Sequence, residues 1–504
     1  MRQFLMIFLL GGLLPLSLGA QSYYPVPPRQ RTPDAMPYFV PSAAPRHLVA
    51  PRKAIGSNRN LLPKVPVILV NFQDMTFRTS RTQIDSMFNA KGAYTAGAQG
   101  SVRKYFSDQS NGLYIPQFDL YGPITVSQNY AHYGAHGSSS DIYPGELVAE
   151  ACAIMDDSLN FANYDLNADN KVDIVYILYA GPGEQDLGFI DPLWISTADQ
   201  PKLIWPHCWD LNSAGTNGRG KVFDGKTVDL YEVSCELDGV LSDASVASLC
   251  GIGLACHEFC HGLGLPDMYT TNGALHKTLG TWSLLDQGIY NNDMMSPPNL
   301  SAYERWFMGW IDPVLLTAPQ DVSLESLGTS NQAYIISATG TKPANILNPN
   351  PSTFYLLENR QQDGWDDGIP GHGLMLTKIT WSSSLWSGNS VNNTARAMGV
   401  DIIEADGLAP AYNSGNPDNG YFGKQGDLYP CDTITSISVL PDYPITDIQE
   451  KDGVITFKFM GGASPATDMI PSIMPDTRNT KYIHNGRLII EREGRRYTVL
   501  GHIH

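Results

Sequence analysis

Positive charge is scarce in this sequence. Its 504 residues include 33 Lys and Arg against 50 Asp and Glu, which gives a formal net charge of -17. A protein with this charge repels polyanions, which argues against nucleic acids and anionic membrane surfaces as partners. The composition predicts a soluble exported protein that binds cations, and we expect it to be a monomer.

Long apolar runs are absent after the first residues. The N-terminus has Arg2, an apolar run over residues 4–18 and the small pair Gly19-Ala20, which is typical of a signal peptide cleaved near Ala20. The run is too short for a membrane anchor, and no later segment is long and apolar enough to cross a bilayer. We therefore expect a secreted or cell-surface protein with no membrane span after signal removal.

Cysteines are few and show no disulfide framework. There are seven, an odd number that leaves at least one outside any pair within the chain. Cys256 and Cys260 share one helical stripe. They are either redox-sensitive or metal-capturing thiols, or small buried packing residues, and packing is the favoured interpretation.

The residues that carry chemistry lie between Ala255 and Asp267, a stretch that includes His-Glu-Phe-Cys-His at 257–261. Histidines four residues apart lie on the same face of a helix and can hold one zinc ion. Gly264 can end that helix in a left-handed conformation, and Pro266 prevents its resumption. The pattern predicts a helix with two zinc ligands, followed by a tight turn.

Two carboxylates compete to be the third zinc ligand. Asp267 follows the turn closely and is the residue that we predict, together with His257 and His261, whereas Glu304 on a later segment is the alternative. Glu258 is adjacent to the first ligand and needs no ligand role itself. We predict that it is the general base, which takes a proton from metal-activated water and returns it to the leaving amine.

These residues predict a zinc-dependent endopeptidase that acts on proteins or peptides. The oxyanion-stabilising residue is open among Tyr269, Tyr290 and Tyr303. Two other functions compete with this one: a non-catalytic zinc-fold adhesin or binding protein, and a metal-dependent hydrolase of non-peptide substrates. The intact Glu258 favours an enzyme over a binding protein, since pure binding needs no base beside the zinc.

A structural calcium ion is predicted in the acidic loop at 165–173. Oxygen-bearing side chains recur there at alternate positions, as in calcium-binding loops, although Tyr176 stands where a bidentate glutamate is expected. The alternative is a solvated acidic turn. The predicted calcium ligands are Asp165, Asn167, Asp169, Lys171 and Asp173.

The predicted fold class is α+β, with a zincin-type metallopeptidase domain followed by a β-sandwich-like domain of short alternating strands. A strand near 228–233, just before the zinc helix, is expected to form the edge along which an extended substrate lies. The predicted segments are a signal peptide (1–20), a pro-segment or N-terminal arm (21–63), the catalytic domain (64–315), the β-sandwich-like domain (316–460), a linker (461–477) and a short C-terminal hairpin (478–504).

Much of the chain, from about Lys64 to Phe459, resembles the immune inhibitor A-type secreted zinc metallopeptidases of bacteria. The segments that carry the resemblance are 67–72, 100–112, 165–173, 205–207, 255–267, 282–292, 303–305, 357–360 and 370–374.

The resemblance implies a secreted zinc endopeptidase that bears a pro-segment and holds calcium at the acidic loop. This chain departs from the family at Leu285, where relatives usually have methionine, and at 376–380, which lacks a histidine and an acid found in relatives.

The closing segment at 485–497 resembles short C-terminal segments of exported bacterial proteins, some of which are sorting signals.

Overall fold

The computed structural model describes residues 63–135, 141–185, 203–214, 221–238, 248–411 and 419–462, together with the backbone of three strands within 479–497. The predicted signal peptide, nearly all of the predicted pro-segment or arm, and most of the predicted linker lie outside these ranges. Among the described helices, none has the length and apolar character that a membrane crossing requires.

The described residues combine short helices with short strands. The helices are α1 (Arg81–Asn89), α2 (Val102–Gln109), α3 (Tyr130–Tyr133), α4 (Pro144–Met155), α5 (Ile252–Gly262), α6 (Ala302–Phe307), α7 (Leu327–Ser330) and α8 (Ser383–Ser387). The strands are β1 (Lys64–Asn71), β2 (Gln117–Thr125), β3 (Val175–Pro182), β4 (His207–Asp210), β5 (Lys221–Phe223), β6 (Lys226–Val228), β7 (Leu230–Asp238), β8 (Ser248–Leu249), β9 (Val314–Leu315), β10 (Gln320–Leu324), β11 (Tyr334–Ile336), β12 (Thr353–Arg360), β13 (Gly373–Thr380), β14 (Val400–Ile402), β15 (Ile445–Lys451), β16 (Val454–Phe459), β17 (Asn479–His484), β18 (Arg487–Arg492) and β19 (Arg495–Tyr497).

The main sheet supports the zinc-motif helix. Its strands run in the order β2-β1-β3-β7-β4, and β8 also pairs with β7. The first four are mutually parallel, whereas β4 and β8 run antiparallel to β7. The strand predicted to be the substrate edge is β7, and its predicted position is wrong, because β7 lies between β3 and β4. The edge strand on this side of the described sheet is β4.

The opposite edge of the main sheet is covered by side chains of α1. The Asn89 amide donates to the Phe118 carbonyl at 2.8 Å and accepts from the Phe118 N–H at 3.0 Å. The Arg81 guanidinium donates to the carbonyls of Leu120 at 2.5 Å and Gly122 at 2.6 Å. Because these contacts occupy backbone groups that an added strand would need, β2 is blocked against further pairing.

Helix α5 packs closely against the main sheet and ends in a tight turn. A Cβ at Gly262 would lie 2.5 Å from the end of the Ile174 side chain just before β3, so a larger residue here would require the Ile174 side chain to move. Gly264 has a φ of +100°, and its N–H donates to the His261 carbonyl at 2.8 Å. A positive φ is readily adopted by glycine, and the chain reverses here as the sequence predicts.

Two further sheets follow residue 313, with strand orders β14-β13-β12-β11-β9 and β10-β16-β15. Side chains of the first alternate between two cores, as the pleat requires. Leu356 and Met375 join the core of the main sheet, whereas Leu357 and Leu376 join a smaller core shared with the three-stranded sheet. The segments before and after residue 316 therefore share a core, and the separate β-sandwich-like domain stays a prediction.

The strands at the C-terminal end form a small sheet of their own. Strand β18 pairs antiparallel with both β17 and β19. The described backbone thus has one strand more than the single hairpin that the sequence predicted for 478–504.

Candidate metal centre

Three side chains converge at the C-terminal end of α5. The Nε2 atoms of His257 and His261 are 3.1 Å apart, and Oδ1 of Asp267 lies 3.3 Å and 3.1 Å from them, respectively. Ligand atoms around a tetrahedral zinc ion lie roughly 3.3 Å apart, given metal–ligand distances of about 2.0–2.1 Å. The spacing of the three donors therefore fits one zinc ion.

Backbone carbonyls fix the orientation of both imidazoles. His257 donates from Nδ1 to the Leu284 carbonyl, and His261 donates from Nδ1 to the Leu265 carbonyl, each at 2.8 Å. A histidine that donates from Nδ1 presents the lone pair of Nε2 to a metal. The turn after α5 and the segment around Leu284 thus aim both rings at the same point.

The carboxylate oxygen that completes the cluster is otherwise unsatisfied. Oδ1 of Asp267 is buried and has no hydrogen-bond partner, which is costly for a charged oxygen unless a cation compensates for it. Burial lowers the pKa of His261, but the Asp267 carboxylate outweighs that effect and raises it to about 9. Both observations indicate that a cation would be stabilised at this point. The donor set is one that binds zinc.

Glu258 is buried beside the cluster and is 5% exposed. Burial raises its pKa above the usual value, and Asp267 raises it further, while the imidazoles of His257 and His261 lower it. A carboxyl group with a raised pKa is suited to accept and release a proton near neutral pH. Its position agrees with the predicted role of general base.

Glu304, the alternative third ligand, is held elsewhere. Its carboxylate accepts from the Ser301 N–H at 2.6 Å, while the Ser301 hydroxyl accepts from the Glu304 N–H at 3.3 Å. This capping box fixes the start of α6. A second contact, from the Ser283 hydroxyl at 3.4 Å, reaches the other carboxylate oxygen. The structure thus brings Asp267, and not Glu304, to the two histidines.

The three candidate tyrosines differ in their surroundings. Burial raises the pKa of Tyr269 well above its usual range, and the nearby Asp267 and Glu258 carboxylates and Tyr290 raise it further. The Tyr303 ring instead packs against other aromatic rings on and beside α6 and α8. Tyr269 thus lies within electrostatic reach of the Asp267 and Glu258 carboxylates, and the oxyanion-stabilising residue stays open among the three tyrosines.

The acidic loop at 165–173 is organised around an internal cation. The Lys226 ammonium lies 2.7 Å from Oδ2 of Asp165, whose carboxylate also accepts from the N–H groups of Asp169 and Asn170 at 3.0 Å. In the described part of the chain, Asp165, Asp169 and Asp173 do not converge as His257, His261 and Asp267 do. Calcium binding by Asp165, Asn167, Asp169, Lys171 and Asp173 stays a prediction.

The two cysteines on α5 are packing residues in this structure. Cys256 and Cys260 are fully buried and form no disulfide. Burial raises the pKa of both thiols well above its usual range, so the reactive thiolate is disfavoured. They occupy the core beneath the metal cluster, as the favoured interpretation of the sequence expected.

Sequence reasoning missed one residue that contacts the cluster, Asn389. Its side chain hydrogen-bonds to both the backbone and the carboxylate of Asp267, which is 122 residues earlier. The only local signal was a run rich in asparagine at 389–393, which by itself predicts a turn. A contact over this sequence distance is visible only in the folded chain.

Comparisons with known proteins agree with this site. Residues 71–310 match the family described as immune inhibitor A peptidase M6, catalytic domain. The chain is 25% identical over 365 residues to the pre-pro-metalloprotease PrtV of Vibrio cholerae serotype O1, across 61% of this chain and 38% of that protein. It is 27% identical over 216 residues to immune inhibitor A of Bacillus thuringiensis subsp. alesti, across 38% of this chain and 28% of that protein. The resemblance inferred from the sequence is thereby confirmed, although the matches span well under half the length of these curated relatives.

Proposed function

We propose that this protein is a secreted zinc endopeptidase, on the premise that residues 71–310 match the family described as immune inhibitor A peptidase M6, catalytic domain. One observation carries the proposal. His257, His261 and Asp267 present three donor atoms to one point, and the Asp267 oxygen at that point has no hydrogen-bond partner. The predicted signal peptide supports export.

The three donors would hold zinc and leave a coordination position open for water or substrate. When bound, zinc polarises the peptide carbonyl and makes water a better nucleophile. Glu258 accepts the proton of the attacking water and delivers it to the leaving amine, because it lies on α5 directly after His257. Tyr269 is our candidate to stabilise the oxyanion, since its electrostatic surroundings include Asp267 and Glu258.

The substrate would lie as an extended strand along β4. The Arg81 and Asn89 side chains cover the β2 edge, whereas β4 forms the other edge among the described strands and packs against α5. A peptide paired with β4 gains main-chain hydrogen bonds without requiring particular side chains. This mode suits an enzyme that cleaves proteins within the chain.

Calcium at the acidic loop is a separate proposal. Loop oxygens at 165–173 and the burial of Asp165 support it, but calcium must compete with the Lys226 ammonium for the Asp165 carboxylate. A bound calcium would therefore replace the Lys226 ammonium at the Asp165 carboxylate, in a loop that is already folded without it. Its role would be to strengthen the fold, since the loop contributes no donor to the cluster on α5.

The proposal is tested by incubating the exported, processed protein with labelled casein, with and without a zinc chelator, alongside metal analysis. We expect cleavage that the chelator abolishes and about one zinc per chain. Small amide and ester substrates are assayed in parallel. Bound zinc without cleavage would support the adhesin or binding-protein alternative, and ester hydrolysis without proteolysis would support a non-peptide hydrolase.

A further inference from the structure

The loop after α5 is held by a segment that lies outside the part of the chain matched by the peptidase family. That segment, residues 389–393, follows α8 and lies more than 70 residues beyond residue 310, where the match ends. Three of its side chains, those of Asn389, Asn392 and Asn393, hydrogen-bond to the stretch from Asp267 to Thr271. The loop that carries the third ligand is thus supported from a distant part of the sequence.

Asn389 binds Asp267 at two points. Its Nδ2 donates to Oδ2 of the Asp267 carboxylate at 2.6 Å, and its Oδ1 accepts from the Asp267 backbone N–H at 2.8 Å. Asn389 is 7% exposed and Asp267 is 2% exposed, so water does not compete effectively for either contact. One carboxamide therefore fixes both the backbone and the side chain of this residue.

Because of this contact, the two carboxylate oxygens of Asp267 have different partners. Oδ2 is occupied by Asn389, while Oδ1 faces His257 and His261 with no hydrogen bond of its own. Without the amide, a partial rotation about χ2 would turn the carboxylate plane and move its oxygens away from the position that faces the histidines. Asn389 thus holds the carboxylate in the one orientation that completes the donor set.

The chain adopts a less common backbone conformation to place this side chain. Asn389 has a φ of +46°, a left-handed region that asparagine tolerates better than other residues with a side chain. Neighbouring contacts hold the segment in place. Asn392 donates to the Met268 carbonyl at 2.8 Å and accepts from the N–H of Val400 in β14 at 3.1 Å.

We propose that Asn389 is a positioning residue for the metal centre, which orients Asp267 as the third zinc ligand from outside the family-matched segment. The inference rests on the proposed zinc site. Partners of metal ligands that act in this way typically contribute about 10- to 100-fold to metal affinity. The isolated segment 71–310 would accordingly lack part of the metal centre.

The test uses the full chain and compares Asn389→Gly with Asn331→Gly. Both positions have a left-handed φ, +46° and +57°, so glycine fits both without strain. Asn331 accepts a hydrogen bond from the buried Arg305 and has no contact with the cluster among the hydrogen bonds of the described residues. A third variant, Asn389→Asp, keeps the side-chain shape but sets a second carboxylate against Asp267.

Zinc affinity is measured by competition with a chromogenic chelator, and the coordination geometry by the visible absorption spectrum of the cobalt-substituted protein. We expect Asn389→Gly to weaken zinc binding about 10- to 100-fold and to change the cobalt spectrum. Asn389→Asp should weaken it at least as much, while Asn331→Gly should leave both unchanged even if it lowers the melting temperature.

Wild-type zinc affinity and an unaltered cobalt spectrum in Asn389→Gly would overturn the proposal. Equal weakening in Asn331→Gly would also overturn it, because the effect would then follow from general destabilisation. Failure of the proposed function is separable, because it shows in the wild-type chain alone as an absence of zinc binding or of cleavage.

Discussion

The Nε2 atoms of His257 and His261 face each other at 3.1 Å, while each ring donates its Nδ1 hydrogen to a backbone carbonyl. Neutral imidazoles held in this way both carry a lone pair on Nε2. Two such lone pairs repel at this distance unless a cation or a shared proton lies between them. The buried, negatively charged Asp267 carboxylate beside them would further stabilise a cation at this point.

Removing zinc should therefore destabilise the folded protein. An ion that binds only the folded state contributes about 2.7 kcal/mol when its concentration is 100 times the dissociation constant. We expect chelation to lower the free energy of unfolding by about that amount, measured by thermal or urea unfolding of the zinc-loaded protein. Zinc, but not magnesium, should restore it, and identical unfolding curves before and after chelation would contradict the metal site.

Substitution of the general base should separate binding from chemistry. Glu258→Gln keeps the size of the side chain but removes its ability to accept the proton. We expect the zinc content to stay near that of the wild type while cleavage of casein falls about 10²- to 10⁴-fold. Metal analysis and initial rates check this on the same preparation, and full retained activity would exclude Glu258 as the base.

The two candidate third ligands should behave in opposite ways. Asp267→Asn should lower the zinc affinity more than about 100-fold, since a ligand contributes more to metal affinity than its supporting partners do. Glu304→Ala should keep zinc but lower the free energy of unfolding by about 1–3 kcal/mol, because the N–H of Ser301, the N-cap of α6, loses its buried partner. The reverse result would make Glu304 the ligand.

A buried acid on β7 should make stability depend on pH. Glu232 is fully buried, and both carboxylate oxygens lack a hydrogen-bond partner. Burial raises its pKa well above the usual range, and the Glu258 carboxylate raises it further. Over the pH range between its unfolded and folded pKa, the folded state binds more protons, so this group lowers stability as the pH rises.

Replacing Glu232 should remove that effect. We expect Glu232→Met to raise the free energy of unfolding above neutral pH by about 1–3 kcal/mol, since an unpaired buried polar group is eliminated. The difference from the wild type should shrink as the pH falls towards the usual range of a glutamate. Urea unfolding at a series of pH values, from the usual range of a glutamate upwards, measures this, and a constant difference would contradict it.

Calcium and Lys226 should compete at the acidic loop. Lys226→Met removes the ammonium that pairs with Asp165, so calcium should raise the melting temperature of this variant more than that of the wild type. Asp165→Asn should abolish the calcium effect in both backgrounds. Melting temperatures with and without millimolar calcium (about the range of weak extracellular sites) provide the comparison, and no calcium response in Lys226→Met would leave the loop as a solvated acidic turn.

The local part of the site follows directly from the order of residues along the chain. The spacing of His257 and His261 sets them on one helical face whatever the rest of the fold does, and Glu258 follows as their neighbour. Gly264 predicted the reversal after the helix because few other residues adopt its backbone conformation. These features depend on residues within one or two turns of one another, so their geometry is encoded in the order of the chain.

The carboxylate that lies beside the two histidines could be identified only in the folded chain. Asp267 and Glu304 were both acidic residues downstream of the helix, and the capping box that occupies Glu304 became visible only with α6 in place. Asn389 and the interior position of β7 likewise depend on pairings between distant segments. Hydrophobic alternation predicts that a strand exists, but its neighbours in a sheet are set by long-range packing that no local pattern records.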